Sequence, residues 1–259
     1  MLIVIPTLGQ RVDYLRQTLE SIRNQHVQAD ITVVTPVSAT AARTLAHEFA
    51  AKVIDDPGSL PAAINQGVSE AGMQHRYVNW LGDDDLLTDQ SLESTVGALR
   101  ANPRAVVAYG SCRYIDPQGK ELWVSKAGKW AGRILVWGPD LIPQPGMLIR
   151  REAWDLVGGV DESLSHAFDL DLLLKLKNQG EFTPVDHVVS CFRWHPESLT
   201  VSDRSKSLEE SEAIKRRYLT TRQNKFKWLW EQPVRVATRI AAQRLNKRAY
   251  RRSAAKTSG

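Results

Sequence analysis

The first 81 residues alternate between short apolar runs and segments of helical periodicity, and this alternation limits the fold more than any other feature of the sequence. Residues 2–6 form a continuous apolar run that ends in Pro6-Thr7-Leu8-Gly9, which is typical of a strand buried on both faces that exits into a turn. Residues 12–25 then place apolar side chains at helical spacing. Three more β-rich runs follow, with helical segments between them, at 31–35, 53–54 and 77–81. The pattern predicts an α/β protein with a mostly parallel central sheet flanked by helices.

The pattern changes after residue 85. Short β runs at 112–115 and 121–124 are joined by Asp116-Pro117-Gln118-Gly119, a turn sequence that predicts a hairpin and hence a small antiparallel part. Residues 126–145 are rich in Gly, Pro and Trp without a period, which favours a functional loop. The other expected elements are helices near 89–101, 151–157 and 169–179 and strands at 106–109 and 188–192.

Charge divides the chain unevenly. The 259 residues carry a formal net charge of +5, but residues 201–259 hold 16 Lys and Arg against 5 Asp and Glu. Residues 224–252 combine aromatic and basic side chains, a composition that suits a helix on an anionic membrane surface. Nucleic acid is a less favoured polyanionic partner, and a solvated tail is the alternative. Because the sequence has neither a leader nor an apolar segment of about 18 residues, we expect a cytoplasmic protein that could lie peripherally at the cytoplasmic membrane face.

Three adjacent carboxylates follow the fourth predicted strand. Asp83-Asp84-Asp85 stands just beyond the run at 77–81, and ligands of open parallel sheets bind outside the carboxyl ends of the strands. Pro6 and Thr7, at the end of the first strand, are expected at the same edge. Carboxylates crowded in a crevice repel one another unless a cation compensates, and oxygen ligands of this kind suit Mg²⁺ or Mn²⁺ bound together with substrate phosphates. A solvated acidic turn is the alternative, which the flanking apolar residues disfavour.

Several segments occur in an order that is known from one enzyme family. They are Ile5-Pro6-Thr7, Pro61-Ala62-Ala63-Ile64-Asn65-Gln66-Gly67, Asp83-Asp84-Asp85, Gln144-Pro145-Gly146-Met147, Gly158-Gly159-Val160-Asp161-Glu162-Ser163-Leu164 and Asp169-Leu170-Asp171-Leu172. Over roughly residues 2–200 the chain resembles glycosyltransferase family 2, inverting enzymes of the GT-A fold that use nucleotide-sugar donors.

The resemblance implies a role for each group of residues. Asp83 and Asp85 would flank a metal ion and the donor diphosphate, and Asp169 would be the catalytic base. His195, in a segment that resembles a late part of the family pattern, is a further candidate metal ligand. The residues expected on the donor side are Pro6, Thr7, Arg11, Asp56, Asn65, Asp83 and Asp84. Those expected on the acceptor side are Gly146, Met147, Asp171, Arg193 and, because aromatic rings stack on sugars, the loop residues Trp130 and Trp137.

One segment departs from the family pattern. Many relatives carry an Asp after the second strand that contacts the nucleotide base, whereas this chain has Thr35-Pro36 there. The identity of the nucleotide therefore stays open.

Together these features predict a metal-dependent inverting glycosyltransferase that moves a sugar from a nucleotide-sugar donor to a hydroxyl of a glycan, lipid-linked or protein acceptor. Its domain would span residues 1–204, with a nucleotide-sugar half (1–100) and an acceptor half (101–204), before a basic helical C-terminal extension (205–259). A nucleotidyltransferase would need a Gly-rich basic loop after the first strand, and residues 7–11 are too sparse for it. A non-catalytic nucleotide-sugar binding module is the second alternative. A dehydrogenase is disfavoured because no G-x-G-x-x-G follows the first strand.

Overall fold

The computed structural model describes residues 1–125, 128, 130–138, 140–194, 204–219 and 225. Among these residues the strands are β1 (Leu2–Pro6), β2 (Asp30–Thr35), β3 (Lys52–Asp55), β4 (Tyr77–Trp80), β5 (Leu86–Leu87), β6 (Ala105–Ile115), β7 (Glu121–Ser125), β8 (Leu148–Arg150) and β9 (Glu181–Arg193). The helices are α1 (Val12–Arg23), α2 (Thr40–Glu48), α3 (Leu60–Glu70), α4 (Ser91–Ala101), α5 (Ala131–Ile134), α6 (Arg151–Val157), α7 (Phe168–Lys177) and α8 (Arg204–Tyr218).

All the described strands belong to one mixed sheet. Their order is β3-β2-β1-β4-β8-β6-β9-β5, and β7 pairs with β6. The first four form the expected parallel half, in which Val4 of β1 lies opposite Thr32 on one side and Trp80 on the other. Every residue of β1 is buried, as its continuous apolar run predicts. The carboxyl ends of β1 and β4 therefore lie side by side at one edge of the sheet.

The second half of the sheet contains both strand directions. Strand β8 runs antiparallel to β4 and to β6, while β6 and β9 are parallel. The predicted hairpin is observed as β6 and β7, with Tyr114 opposite Trp123. Short strand β5 pairs with β9, which brings the segment after the acidic cluster back to the sheet.

Several boundaries differ from those expected. The runs at 106–109 and 112–115 belong to one strand, β6, because Gly110 lets its backbone pass close to β9: a Cβ at Gly110 would lie 2.7 Å from the carbonyl oxygen of His187. The pairing register shifts around this glycine. Strand β9 begins at Glu181, before the expected 188. The sequence did not predict this earlier start because the first residues of the strand are largely half-exposed and form no apolar run. Strands β5 and β8 are too short to show a period, and α5 lies inside the expected loop at 126–145.

Helix α3 packs tightly on the parallel half. A Cβ added at Gly67 would stand 2.4 Å from Cγ1 of Val4 and 3.1 Å from Cγ2 of Val34, so only glycine permits this approach of the helix to β1 and β2. Gly97, in α4, has no atom within 4 Å of the corresponding position.

Helix α8 continues the core beyond the expected domain boundary at residue 204. Its Ile214 is fully buried in the same hydrophobic cluster as Phe168 and Leu172 of α7. The remainder of the predicted basic extension, including residues 224–252 apart from Lys225, lies outside the described residues. Within the described ranges, no helix is long and apolar enough to cross a membrane.

The two helical glycines provide a test of this packing. We expect Gly67→Ala to lower the free energy of unfolding by about 1–3 kcal/mol because the new methyl group overlaps Val4. Gly97→Ala, the matched control, should raise it by about 0.5–1 kcal/mol because it adds helix propensity without a clash. Urea denaturation measures both changes. Equal effects of the two substitutions would contradict the close approach of α3 to β1.

Candidate active site

The carboxyl ends of β1 and β4 carry two segments that were expected on the donor side. The backbone N–H of Thr7 donates to the carbonyl oxygen of Val34, and that of Leu81 donates to the carbonyl oxygen of Val4, both at 2.9 Å. These bonds continue the strand pairing past Pro6 and Trp80. Thr7 and the acidic residues 83–85 consequently leave the sheet next to each other.

Asp83 is buried and is held from the β1 side. Thr7 Oγ1 donates to Asp83 Oδ2 at 2.5 Å, and Arg11 Nη2 donates to Oδ1 at 2.9 Å. Burial raises the pKa of Asp83, whereas the hydrogen bond from Thr7 and the charge of Arg11 lower it. Arg11 also donates from Nη1 to Asp84 Oδ2 at 3.0 Å. One guanidinium thus bridges two adjacent carboxylates, which reduces their mutual repulsion.

Asp85 is buried and is held from the opposite side. The backbone N–H of Arg193 donates to Asp85 Oδ1 at 3.1 Å, and Thr18 Oγ1 of α1 donates to the carbonyl oxygen of Asp85 at 2.8 Å. Burial and then the charge of Asp84 raise the pKa of Asp85 well above its usual value, and the backbone N–H of Arg193 lowers it. The carboxylate therefore lies where an additional positive charge would favour its ionised form.

Arg193, expected on the acceptor side, lies behind the acidic segment with its side chain only 1% exposed. Its Nε donates to the carbonyl oxygen of Asp84 at 3.1 Å, Nη1 to that of Pro117 at 3.0 Å, and Nη2 to Gln17 Oε1 at 2.8 Å. The guanidinium also lies 4.3 Å from the centroid of the Tyr14 ring. Every nitrogen of the group is engaged within the protein, so Arg193 joins β9, α1 and the β6–β7 turn to the acidic segment.

The acidic segment offers oxygen ligands of the type that divalent cations prefer. Among the described residues, no group of three or more His, Cys, Asp and Glu side chains could hold a metal ion. Mg²⁺ and ions of similar preference are commonly bound by one or two carboxylates together with substrate phosphates, and they do not need an all-protein cage. Buried Asp85, with Asp83 nearby, offers such an incomplete set of oxygen ligands. His195, the other predicted metal ligand, lies outside the described residues.

Asp169 stands in the first turn of α7. Its Oδ1 accepts a hydrogen bond of 2.8 Å from the backbone N–H of Leu170. Burial raises the pKa of Asp169 to about 6, backbone N–H groups oppose the change, and the charge of Glu210 adds to it. A carboxylate with such a pKa is ionised at neutral pH and is a stronger base than an ordinary aspartate.

A second carboxyl group, in the segment at 126–145, lies near enough to Asp169 to be affected by its charge. Asp140 accepts a hydrogen bond of 3.0 Å from the backbone N–H of Ile142. It keeps accessible surface, yet the surrounding protein excludes enough water to raise its pKa to about 7, and the charge of Asp169 contributes to this rise. Lys215 of α8 lies close enough to oppose it.

Two predicted site residues are engaged in contacts that hold the protein together. Asn65 Nδ2 donates to the carbonyl oxygen of Val160 at 2.9 Å and to Glu162 Oε1 at 2.8 Å, while its Oδ1 accepts from the backbone N–H of Val160 at 3.0 Å. Asp171 forms an ion pair of 2.8 Å with Lys175 and accepts a hydrogen bond of 2.8 Å from Tyr218. Asn65 therefore fastens the loop before α7, and Asp171 joins α7 to α8.

The predicted acceptor-side residues are divided between surface and core. Trp130 and Trp137 are 66% and 44% exposed, and the guanidinium of Arg133 lies 4.8 Å from the centroid of the Trp130 ring. Met147 is fully buried in the core. Gly146 has φ +78°, and a Cβ there would lie 2.9 Å from Cγ2 of Val189 in β9. Only the two tryptophans present large surfaces that a ligand could contact.

Asp56, expected on the donor side, lies just beyond β3. Its backbone N–H donates to the carbonyl oxygen of Thr35 at 3.2 Å, and its Oδ1 accepts from the backbone N–H of Gly58 at 3.1 Å. It therefore shares the carboxyl edge of the sheet with Thr7, but the described contacts do not join it to the acidic segment.

The sequence matches the model of one protein family. A family model described as glycosyl transferase family 2 matches residues 2–155, more than half of the chain. The chain belongs to this family. The matched range includes the acidic segment, whereas Asp169 and α8 lie beyond it.

Two curated relatives support the assignment. An uncharacterized glycosyltransferase of Rickettsia bellii (strain RML369-C) is 26% identical over 187 residues, which cover 67% of this chain and 27% of the relative. A chondroitin synthase of Escherichia coli is 28% identical over 114 residues, which cover 43% of this chain and 16% of that protein. The matched region therefore spans about a quarter of the length of the first relative and about a sixth of the second.

Solved structures with the same fold confirm the predicted GT-A architecture. Staphylococcus aureus TarS 1-349 in complex with UDP-GlcNAc superimposes with a TM-score of 0.62 and 14% identity, over 82% of this chain and 64% of that one. The mannosyltransferase PcManGT from Pyrobaculum calidifontis, in complex with GDP-Man and Mn²⁺, gives a TM-score of 0.66 and 16% identity, over 100% of this chain and 75% of that one.

Sequence reasoning missed several residues of this family 2 site. Thr18 of α1 contacts Asp85 and Gln17 of α1 contacts Arg193, but at helical spacing both appear as ordinary helix residues. Asp140 lies in a segment without a period, and Glu210 lies in a stretch that its charge marked as a tail. The one local signal for Asp140 was its position between Pro139 and Leu141.

The buried hydrogen bonds of Arg193 predict a large loss of stability when its side chain is removed. We expect Arg193→Ala to lower the free energy of unfolding by about 3–5 kcal/mol because it leaves buried polar partners unpaired. Arg104→Ala is the matched control: Arg104 forms an ion pair with Glu181, but its side chain is 82% exposed, so the loss should stay below about 1 kcal/mol. Urea denaturation distinguishes the two, and similar losses would contradict the buried role of Arg193.

Proposed function

We propose that this chain is a metal-dependent inverting glycosyltransferase that uses a nucleotide-sugar donor. The observation that carries the proposal is the placement of buried Asp83 and Asp85 at the adjoining carboxyl ends of β1 and β4, in a chain of family 2 with the GT-A fold. Ligands of such sheets bind at this edge. Because a nucleoside diphosphate is negatively charged, a buried acidic cluster could bind it only through a cation.

The cation would be Mn²⁺ or Mg²⁺, held by Asp85 and Asp83 with a further contribution from His195. When bound, it would supply positive charge to the diphosphate that leaves the sugar. The protein prepares this position: the backbone N–H of Arg193 orients Asp85, and Thr7 orients Asp83. Arg11 bridges Asp83 and Asp84 with a side chain that is 35% exposed, so its guanidinium can also meet a donor phosphate.

Asp169 would act as the base. The oxygen of the acceptor hydroxyl forms a bond to the anomeric carbon as the bond from that carbon to the diphosphate breaks on the opposite face. Asp169 takes the hydroxyl proton, and the configuration at the anomeric carbon is inverted. The support is its position in the first turn of α7 and a pKa of about 6, which keeps the carboxylate ionised and basic at neutral pH.

The donor and acceptor are proposed by chemical class. A UDP or GDP sugar is supported by the UDP-GlcNAc bound to TarS and the GDP-Man bound to PcManGT. Pro6, Asp56 and Asn65 would line the donor side without the usual base-contacting Asp. The acceptor would be a hydroxyl of a glycan, a lipid-linked or a protein molecule, with exposed Trp130 and Trp137 available for stacking on a sugar ring.

For location, we propose a cytoplasmic enzyme whose residues 224–252 bind the anionic face of a membrane. The support is the excess of basic residues after residue 200 and the Trp and Lys side chains that alternate there. Co-sedimentation with phosphatidylserine vesicles tests this, and equal binding to uncharged vesicles would contradict it.

A thermal-shift screen tests the proposed function. The full chain is heated with UDP, GDP, ADP, UDP-GlcNAc and GDP-mannose, each with Mn²⁺, with Mg²⁺ and with EDTA. A specific donor should raise the melting temperature only in the presence of the metal, because ligands that bind the folded state stabilise it. No stabilisation by any nucleotide would contradict the proposal. Stabilisation without subsequent release of nucleoside diphosphate would favour the binding-module alternative.

Replacement of the proposed base gives a sharper result. We expect Asp169→Asn to lower the rate of sugar release from the donor about 10²–10⁴-fold, because the amide cannot accept the proton. Donor binding should be retained, since the acidic segment is unchanged. Asp186→Asn, an exposed residue of β9, is the control and should leave the rate unaltered. Retained turnover in the Asp169 variant would exclude it as the base.

A further inference from the structure

The N-terminus of α7 is capped by a side chain from another helix. Glu210 of α8 accepts hydrogen bonds from the backbone N–H groups of Ser165 at 3.1 Å, His166 at 2.6 Å and Ala167 at 2.6 Å. The first N–H groups of a helix and those just before it have no partner within the helix, and Ala167, the N-cap residue, has no side chain to supply one. One carboxylate therefore satisfies three consecutive backbone donors.

We infer that Glu210 is a positioning residue for Asp169: it holds the start of α7 in one place and so fixes where the Asp169 carboxylate stands. The inference rests on the proposed role of Asp169 as the base. Asp169 follows the last capped residue, Ala167, by only two positions, so any shift of the capped segment moves the carboxylate with it. The family model ends at residue 155, before either residue.

The rest of α8 fixes the position of Glu210. Ile214 is fully buried in the core next to α7. Lys215 Nζ donates to the carbonyl oxygen of Gly138, and Tyr218 donates from its hydroxyl to Asp171 at 2.8 Å. Ile214 and Lys215 lie about one helical turn after Glu210, and Tyr218 lies about two turns after it. The helix that carries the cap is therefore itself fastened to α7 and to the segment at 126–145.

The charges around Asp169 make the effect of Glu210 on it measurable. Asp169 interacts electrostatically with Asp140 of the segment at 126–145 and with Glu210 of α8, and Asp140 interacts in turn with Lys215. On α7 itself, Asp171 is paired with Lys175. The charge of Glu210 adds to the rise in the pKa of Asp169. Burial opposes ionisation of Glu210, but the three backbone N–H groups lower its pKa overall, so it carries a charge at neutral pH.

Three variants of the full chain test the inference. Glu210→Ala removes the cap, Glu210→Gln keeps one acceptor oxygen but no charge, and Glu209→Gln removes the same charge from an exposed neighbour on the same helix. The assay is release of UDP from UDP-GlcNAc and of GDP from GDP-mannose in the presence of Mn²⁺. We expect kcat of Glu210→Ala to fall about 10- to 100-fold through misplacement of the base. The donor KM should change less than about threefold, and Glu210→Gln should lie between Glu210→Ala and the wild type.

A second readout does not need turnover. The carboxyl carbon of Asp169 in ¹³C-aspartate-labelled protein, assigned by comparison with Asp169→Asn, reports its pKa. In Glu210→Gln this pKa should fall, because a neighbouring negative charge is lost, whereas Glu209→Gln should leave it unchanged. Melting temperatures, measured in parallel, show the loss of stability that a purely structural cap would also produce.

The possible outcomes separate the two proposals. An unchanged kcat and an unchanged Asp169 pKa in Glu210→Gln and Glu210→Ala would overturn the positioning role, even if the melting temperature falls. If no nucleotide stabilises the wild type in the thermal-shift screen, the proposed function fails, and the positioning role, which rests on it, fails with it. With a functional wild type, a lower kcat of Glu210→Ala together with a lower Asp169 pKa in Glu210→Gln, neither of them seen in Glu209→Gln, supports the role.

Discussion

The contact between Arg193 and the acidic segment holds the two halves of the sheet together at the site. Its backbone N–H binds the Asp85 carboxylate, and its guanidinium binds the carbonyl oxygen of Asp84 while reaching α1 and the β6–β7 turn. Three adjacent acidic residues would repel one another in a buried edge without such donors. Arg11 and Thr7 supply the matching contacts from the β1 side. The acidic residues are thereby kept buried, ionisable and fixed in direction.

A second set of contacts fixes α7 and the loop before it relative to the sheet. Asn65 fastens the loop that leads into α7, Glu210 caps the start of α7, and Tyr218 binds Asp171 one turn further on. The consequence is that the Asp169 carboxylate is held on a helix with fixed contacts, and that burial raises its pKa as its proposed role as a base requires. The proposed donor end is thus organised by the sheet, and the proposed acceptor end by helices that pack on it.

The sequence predicted the parallel half well because β1, β2 and β4 are buried on both faces and α1 has a clear apolar stripe. It also placed Thr7 and Asp83 at one edge, since carboxyl ends of parallel strands meet there. It could not show that Arg193 and Asn65 are occupied by contacts within the protein, or that Tyr218 binds Asp171, because these partners lie about 50–180 residues apart in the chain. Glu210 was hidden for a related reason: its local composition resembles a charged tail, and only tertiary contacts reveal a cap.

In the proposed function, Asp85 binds a divalent cation that the donor diphosphate shares. The most direct measurement is electron paramagnetic resonance of free Mn²⁺ during titration with the protein, with and without UDP or GDP. For the wild type, one of the two nucleotides should greatly increase the loss of the free Mn²⁺ signal, and Asp85→Asn should abolish that increase. The same Mn²⁺ binding in the wild type and in Asp85→Asn, with the nucleotide present, would contradict the claim.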